Sequence, residues 1–156
     1  MENVQQFKTV EVECEIFKRS ERCLVYGGSY SGKTYFIQNL ILRHHEKFKK
    51  IIICGAKNDL LTHPLTSSKT IFYENDENPI YDPFTDQLND TDKRQTLLIL
   101  DDVMTEAYNS TLVSKIYSKG RHLNLSVFLI LQSFFPQGTS KSLVPMLKNN
   151  SSIQFF

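Results

Sequence analysis

The sequence has no long apolar run, no excess of one charge and no cysteine cluster, and each absence removes a class of function. The longest apolar stretch, Val127 to Leu131 with Phe134 and Phe135 beyond Gln132, is far too short to span a membrane. The first residues, MENVQQFKTVEVE, lack the basic n-region and apolar h-region of a secretory leader. A soluble chain that is neither secreted nor membrane-bound is therefore expected. Cys14, Cys23 and Cys54 lie far apart, are odd in number, and form no CxxC or Cys/His pattern at zinc spacing. That argues against a disulfide framework or a metal knuckle and for a reducing, intracellular setting. The formal net charge is +1, so no global basic field advertises nucleic acid and any polyanion must be met by a local patch. No internal repeat is present.

What the sequence does have is enough apolar content, 40% of 156 residues, for one compact domain over 1–156 and too little length for two. Val10, Val12, Cys14 and Ile16 alternate with Glu11, Glu13 and Glu15, the period of a half-buried strand flanking the main sheet. Four runs are short and almost wholly apolar: Leu24 to Tyr26, Ile51 to Cys54, Leu97 to Leu100 and Val127 to Leu131. Such runs predict strands covered on both faces, as in a parallel α/β sheet. Helical patterns separate them, over Tyr35 to Lys47 and over Asn109 to Lys119, with Gly120 expected as the residue just past the second helix. Residues 57–95 are polar and proline-bearing, and predict a surface excursion holding an extra strand at Thr70 to Tyr73 and a strand or short helix at Asp82 to Leu88. The apolar Ser152 to Phe156 reads as a last strand, and its abrupt stop is what a minimal or trimmed domain would have.

The stretch Gly27-Gly28-Ser29-Tyr30-Ser31-Gly32-Lys33-Thr34 fits G-x-x-x-x-G-K-[ST] and stands between an apolar strand and an amphipathic helix. Glycines let backbone N–H groups turn inward around phosphates, Lys33 answers the β/γ charge, the Thr34 hydroxyl suits Mg²⁺, and the helix N-terminus lies behind them. A Gly/Ser turn beside a surface lysine is the bland alternative. Further on, Thr96-Leu97-Leu98-Ile99-Leu100 ends in Asp101-Asp102. Beside a phosphate loop, Asp101 is expected to hold the metal and Asp102 to activate the attacking water; alone, the pair would be a strand entering a turn. Gln132, ending the next apolar strand, is expected to sense the γ-phosphate and position water, the alternative being a strand-end amide satisfied by its turn.

Taken together these residues resemble an additional-strand P-loop ATPase. With Gly120-Arg121-His122-Leu123-Asn124-Leu125-Ser126-Val127-Phe128-Leu129-Ile130-Leu131-Gln132 added, they resemble more narrowly the poxvirus-type DNA-packaging ATPases of large DNA viruses and virus-like transposons, in the FtsK–HerA superfamily. The resemblance implies a RecA-like α/β fold with a mostly parallel central sheet flanked by helices. It implies ATP and Mg²⁺, homo-oligomeric rings of five or six subunits, a capsid or portal-like vertex partner, and movement of double-stranded DNA. The expected location is the host cytoplasm or nucleus, or the virion. The resemblance also makes Arg121 a finger reaching the neighbouring subunit's ATP, against the alternative of a helix-end arginine near a negative dipole. Two departures stand out. Asp102 occupies a place where cellular relatives carry glutamate, and Lys148 in Leu147-Lys148-Asn149-Asn150 stands where the family carries arginine.

DNA contact has two candidate groups, Arg43-His44-His45-Glu46-Lys47-Phe48-Lys49-Lys50 and Lys115, Lys119 with Arg121, but the first is better explained by the helix C-terminus it follows. Two rivals to the motor remain: a P-loop kinase of a nucleoside or small metabolite, and a nucleotide-gated assembly factor with little turnover. Against the kinase stand the paired aspartates, the interposed strand at residues 51–54, and Gln132.

Overall fold

The computed structural model describes residues 16–55, 57–75, 77, 79–85, 91–103, 110–132 and 143–155. Six strands form one sheet: β1 (Arg22–Tyr26), β2 (Phe48–Gly55), β3 (Thr70–Tyr73), β4 (Gln95–Asp101), β5 (Leu125–Leu131) and β6 (Ile153–Phe155). Their order is β3-β2-β4-β5-β1-β6, and every described pairing is parallel. Among the described residues the α-helices are α1 (Lys33–Arg43), α2 (Thr111–Lys119) and α3 (Leu143–Asn150).

The near-continuous apolar strands follow from cover on both faces. Along β5, Leu125, Val127, Leu129 and Leu131 enter one core layer with Val113, Ile116 and Tyr117 of α2 and Leu147 of α3. The alternate residues Phe128 and Ile130 enter the other layer with Ile37 and Ile41 of α1. These two isoleucines are four residues apart, on one face of α1. Burying each stabilises by about 1.5–3 kcal/mol. Tyr117 is fully buried, yet its hydroxyl donates to the Cys23 carbonyl at 3.3 Å, so α2 is tied to β1 by a polar contact inside an apolar layer.

Several local expectations are altered by packing. The first helix stops at Arg43, and the chain tightens into a 3₁₀ turn over His45–Lys47 before β2. This reversal delivers Phe48, fully buried, to an edge-on contact with Phe17 at 4.9 Å. Gly120 is not the left-handed terminator of α2. Its φ is −56°, the chain continues through a 3₁₀ turn over Gly120–Leu123, and Asn124 takes the left-handed conformation at φ 52°. Asparagine enters this region more readily than most residues, and here its side-chain amide donates to the sequence-distant Lys93 carbonyl at 2.7 Å. Glycine at 120 serves close approach instead: a Cβ there would lie 3.3 Å from a Leu125 methyl.

The excursion supplies the expected extra strand, β3, on the sheet edge, but it lies only partly at the surface. Leu60 enters the α1 layer and Ile80 the opposite one. The Tyr81 amide donates to Cys54 Sγ at 3.4 Å, and the Lys69 ammonium donates to the His45 and Phe48 carbonyls. Asp82 caps a turn through Thr85, and the remainder of the expected element, residues 86–88, lies outside the described residues. The N-terminal strand expected over Val10 to Ile16 also lies outside them except for Ile16, which is buried. The terminal strand is present as β6, paired with β1.

Candidate functional site

Parallel strands send all their C-terminal ends to one sheet edge, where open α/β sheets form crevices for ligands. The Gly27–Thr34 loop leaves β1 at this edge, Asp101 ends β4, Gln132 follows β5, and Gly55 ends β2. In space β5 lies between β1 and β4. The strand over residues 51–54 that precedes Asp101 in sequence sits beyond β4, so the strand interposed between the loop and the aspartates is β5, not β2.

The loop closes onto the sheet through the Gly27 amide, which donates to the Leu131 carbonyl at 3.3 Å. Two residues turn left-handed, Tyr30 at φ 61° and Gly32 at φ 82°, which starts α1. A Cβ on Gly27 would meet Ser31 Oγ at 2.9 Å, so a side chain there would make the serine hydroxyl turn away. The Lys33 ammonium folds back over the loop, donating to the carbonyls of Gly27 at 2.6 Å and Gly28 at 2.7 Å, and to Ser31 Oγ at 3.4 Å. The N-terminus of α1 has no side-chain cap and no acidic residue in its first turn. Its amides and dipole are thus left to an anion. Ser29, Tyr30, Thr34 and Gly28 are exposed at the loop surface.

Asp101 is buried at the end of β4. Burial first, and the Asp102 charge second, push its pKa above the usual carboxylate value, while Lys33 pulls the other way. Asp102 is exposed and adopts φ 50°, a conformation an L residue enters at a cost. Its carboxylate accepts a hydrogen bond of 2.6 Å from Gln132 Nε2. Asp102 and Gln132 are thereby joined across two strands.

Gly55 was visible in the sequence only as the residue after a strand, yet it is decisive for this edge. It pairs with Asp101 at φ +118°, and a Cβ on it would fall 1.8 Å from the Asp101 carbonyl oxygen. Only glycine allows β2 and β4 to come together where Asp101 is held.

A triphosphate with Mg²⁺ fits this donor set. Lys33, the Thr34 hydroxyl, a single buried carboxylate and an open helix N-terminus suit an ion held chiefly through phosphate oxygens. Among the described residues no group of three or more His, Cys, Asp or Glu could hold a metal by itself.

Arg121 is not part of this cluster. It precedes the N-terminal end of β5, and the seven residues of that strand separate it from the loop by about 20 Å. Lys148 is exposed on α3. The basic run Arg43 to Lys50 is engaged internally: Lys47 donates to the Ile16 carbonyl at 2.8 Å, Lys49 to that of Asp92 at 3.1 Å, and Lys50 stands 5.4 Å from the Tyr81 ring centre. Lys115 lies 4.0 Å from the Phe84 ring centre.

The sequence profile of the Poxvirus A32 protein family matches residues 6–153. The chain belongs to that family. Solved structures similar to this A32-family chain include the genome packaging NTPase B204 from Sulfolobus turreted icosahedral virus 2 in complex with AMPPCP, at 19% identity and a TM-score of 0.56, covering 88% of this chain and 75% of that one. The same protein in complex with ATP-gammaS gives 19% identity, a TM-score of 0.53, and coverage of 87% and 75%. No curated protein sequence matched. The α/β fold with a parallel sheet expected from the motifs, and the resemblance to packaging ATPases drawn from them, are thus borne out.

Proposed function

We propose that this A32-family chain is one subunit of an ATP-hydrolysing motor that drives double-stranded DNA into a viral capsid. The observation that carries this reading is the convergence, at one sheet edge, of the phosphate loop with buried Asp101 and the bonded pair Asp102 and Gln132. Family membership and a fold like that of a genome packaging NTPase support DNA rather than a metabolite as the object of the work.

In this reading the β- and γ-phosphates of ATP lie against the amides of Gly27, Gly28, Ser29, Tyr30, Ser31, Gly32, Lys33 and Thr34, and the Lys33 ammonium exchanges its carbonyl partners for phosphate oxygens. Thr34 and Asp101 would hold Mg²⁺, which when bound neutralises charge on those oxygens. Asp102 takes a proton from water as the water oxygen attacks the γ-phosphorus, and the bond to the bridging oxygen of ADP breaks. Gln132 steadies the Asp102 carboxylate. Arg121, about 20 Å from its own loop, would act on a neighbour's nucleotide in a ring of five or six copies. A capsid or portal-like vertex protein would seat that ring, in the host cytoplasm or nucleus or at the virion. We take residues 1–156 as a single ATPase domain. Among the described residues no helix is long and apolar enough to cross a membrane.

The test is phosphate release from ATP by the full chain, with and without double-stranded DNA, while light scattering reports mass. Ring-sized particles whose Lys33-dependent turnover rises with DNA and falls with salt are expected. Turnover indifferent to DNA contradicts the motor. Rings that bind ATP without consuming it favour the assembly factor, and transfer of phosphate to an added nucleoside favours the kinase.

A further inference from the structure

The charges of this chain nearly cancel, at a formal net of +1, yet they are sorted between the two ends of its sheet. At the N-terminal ends of the strands Asn124 ties three chain segments together. Its side-chain amide donates to the Lys93 carbonyl at 2.7 Å, its side-chain oxygen accepts from Ser20 Oγ at 3.4 Å, and its main-chain N–H donates to the Arg121 carbonyl at 3.4 Å. The starts of β4, β1 and β5 are thereby held side by side, about 4.8 Å from strand to strand. Lys93 precedes β4, and Lys119 and Arg121 lead into β5 from the end of α2; all three are exposed. Of the carboxylates beside them, Asp92 pairs with Arg94 at 2.7 Å and Glu21 with Arg19 at 3.6 Å. Those two pairs offset one another, so Lys93, Lys119 and Arg121 leave this edge basic.

The opposite edge is acidic, and much of its charge comes from the polar excursion. Glu74 and Glu77 follow β3 and are exposed. Asp82 follows Tyr81, whose amide is held by Cys54 near the end of β2. Asp101 ends β4 with Asp102 just beyond. Among the described residues the cations beside them are Lys33 and Lys57, the latter 5.2 Å from the Phe72 ring centre.

We propose that the basic edge of one copy, marked by Lys93 and Lys119, docks against the acidic edge of a second copy, marked by Glu74 and Glu77. This docking deepens the ring proposed above and rests on that reading, assigning the two surfaces that meet and the force that orients them. Like edges repel and unlike edges attract, so a symmetric pair burying the same edge twice is disfavoured. The contact is head-to-tail, the kind that makes a ring when its rotation closes. It also carries Arg121 to the edge on which the neighbour's phosphate loop lies.

Sedimentation velocity of the full chain with MgATP reads the assembly without reference to turnover. The parent should form large particles that come apart as salt rises from about 0.05 to about 0.5 M, because exposed charges are screened. Glu74→Lys with Glu77→Lys should raise the concentration needed for half-assembly roughly tenfold or more, and Lys93→Glu with Lys119→Glu should do the same. The chain carrying all four substitutions has its edge charges exchanged and should assemble within a few-fold of the parent. All four positions are exposed, so every variant should keep the parent's circular dichroism. Double reversals that leave assembly unchanged overturn the proposal, as does an exchanged chain no better than either double variant, or assembly indifferent to salt. If Lys93→Glu with Lys119→Glu loses binding to a DNA duplex while its mass stays that of the parent, the basic edge grips DNA and the proposal falls. A parent monomeric at every salt overturns the ring and this interface together. Assembly that obeys the charge exchange in a chain that consumes no ATP sinks the motor alone and upholds the interface.

Discussion

Gly55→Ala puts a methyl group where the backbone of the neighbouring strand already is. Its Cβ would lie 1.8 Å from the Asp101 carbonyl oxygen and 2.8 Å from the carbonyl carbon, at φ +118°. No rotamer relieves this, because the obstacle is main chain. Overpacking a close contact costs about 1–3 kcal/mol, and holding a non-glycine residue in that backbone region costs about 1–3 kcal/mol more. The sum, about 2–6 kcal/mol, is a large part of the 5–15 kcal/mol that holds an ordinary domain together. For a chain of this size it corresponds to a fall in Tm on the order of 10 °C. Urea unfolding followed by far-UV circular dichroism measures it, the sequence having no tryptophan to report by fluorescence. Gly28→Ala is the matched control: a Cβ there meets nothing within 4 Å, and stability should stay within about 0.5 kcal/mol of the parent. A Gly55→Ala midpoint within about 1 kcal/mol of the parent would refute the claim that β2 and β4 meet through this glycine.

Asp101→Asn removes a buried charge, and its effect depends on pH. Because the folded-state pKa of Asp101 is raised, the unfolded chain gives up this proton first as pH rises, so stability falls across the window from about pH 4 to the raised value. The asparagine variant should therefore be more stable than the parent at pH 7 and no more stable below about pH 4, while Mg²⁺-dependent turnover drops roughly a hundredfold or more; an identical pH profile of unfolding in the two proteins would contradict this. Asp102→Ala should keep MgATP binding and lower turnover by a factor on the order of 10²–10⁴, with Gln132→Ala giving a smaller fall in kcat at unchanged KM; loss of binding in Asp102→Ala would argue for a metal role instead. Inactive Arg121→Ala subunits mixed into parent rings should depress turnover more steeply than their fraction, and a fall in simple proportion would remove the neighbouring-subunit role.

The strands and the phosphate loop were legible because their signals are local. Runs such as Leu125 to Leu131 are apolar at every position but one since both faces of the sheet are covered, and only Ser126 breaks the run, its hydroxyl donating to the Gln95 side chain and accepting from the Glu21 amide. The loop needs its residues in one order, so it announces itself. What escaped depends on partners far away in sequence. Gly55 looks like any strand end until Asp101, distant in the chain, is laid against it. Leu60, Thr66 and Ile80 are buried within a segment whose polar composition reads as surface. Gly120 carries the usual helix-ending residue type, yet the close approach of Leu125 uses its missing side chain while Asn124 makes the turn. The lysines of Arg43 to Lys50 read as a basic patch, and their carbonyl and ring partners come from other parts of the chain. Which strand stands between the loop and the aspartates was equally hidden, because β5 follows β4 in sequence but separates it from β1 in the sheet.

A crystal of the full chain grown with a nonhydrolysable ATP analogue and Mg²⁺ tests the central claim most directly. The account predicts the triphosphate lying along Gly27 to Thr34, with Lys33 Nζ moved from the Gly27 and Gly28 carbonyls onto phosphate oxygens and Asp101 facing the magnesium shell. Nucleotide bound elsewhere, or a loop that keeps the lysine on its own carbonyls with the analogue absent, would contradict it.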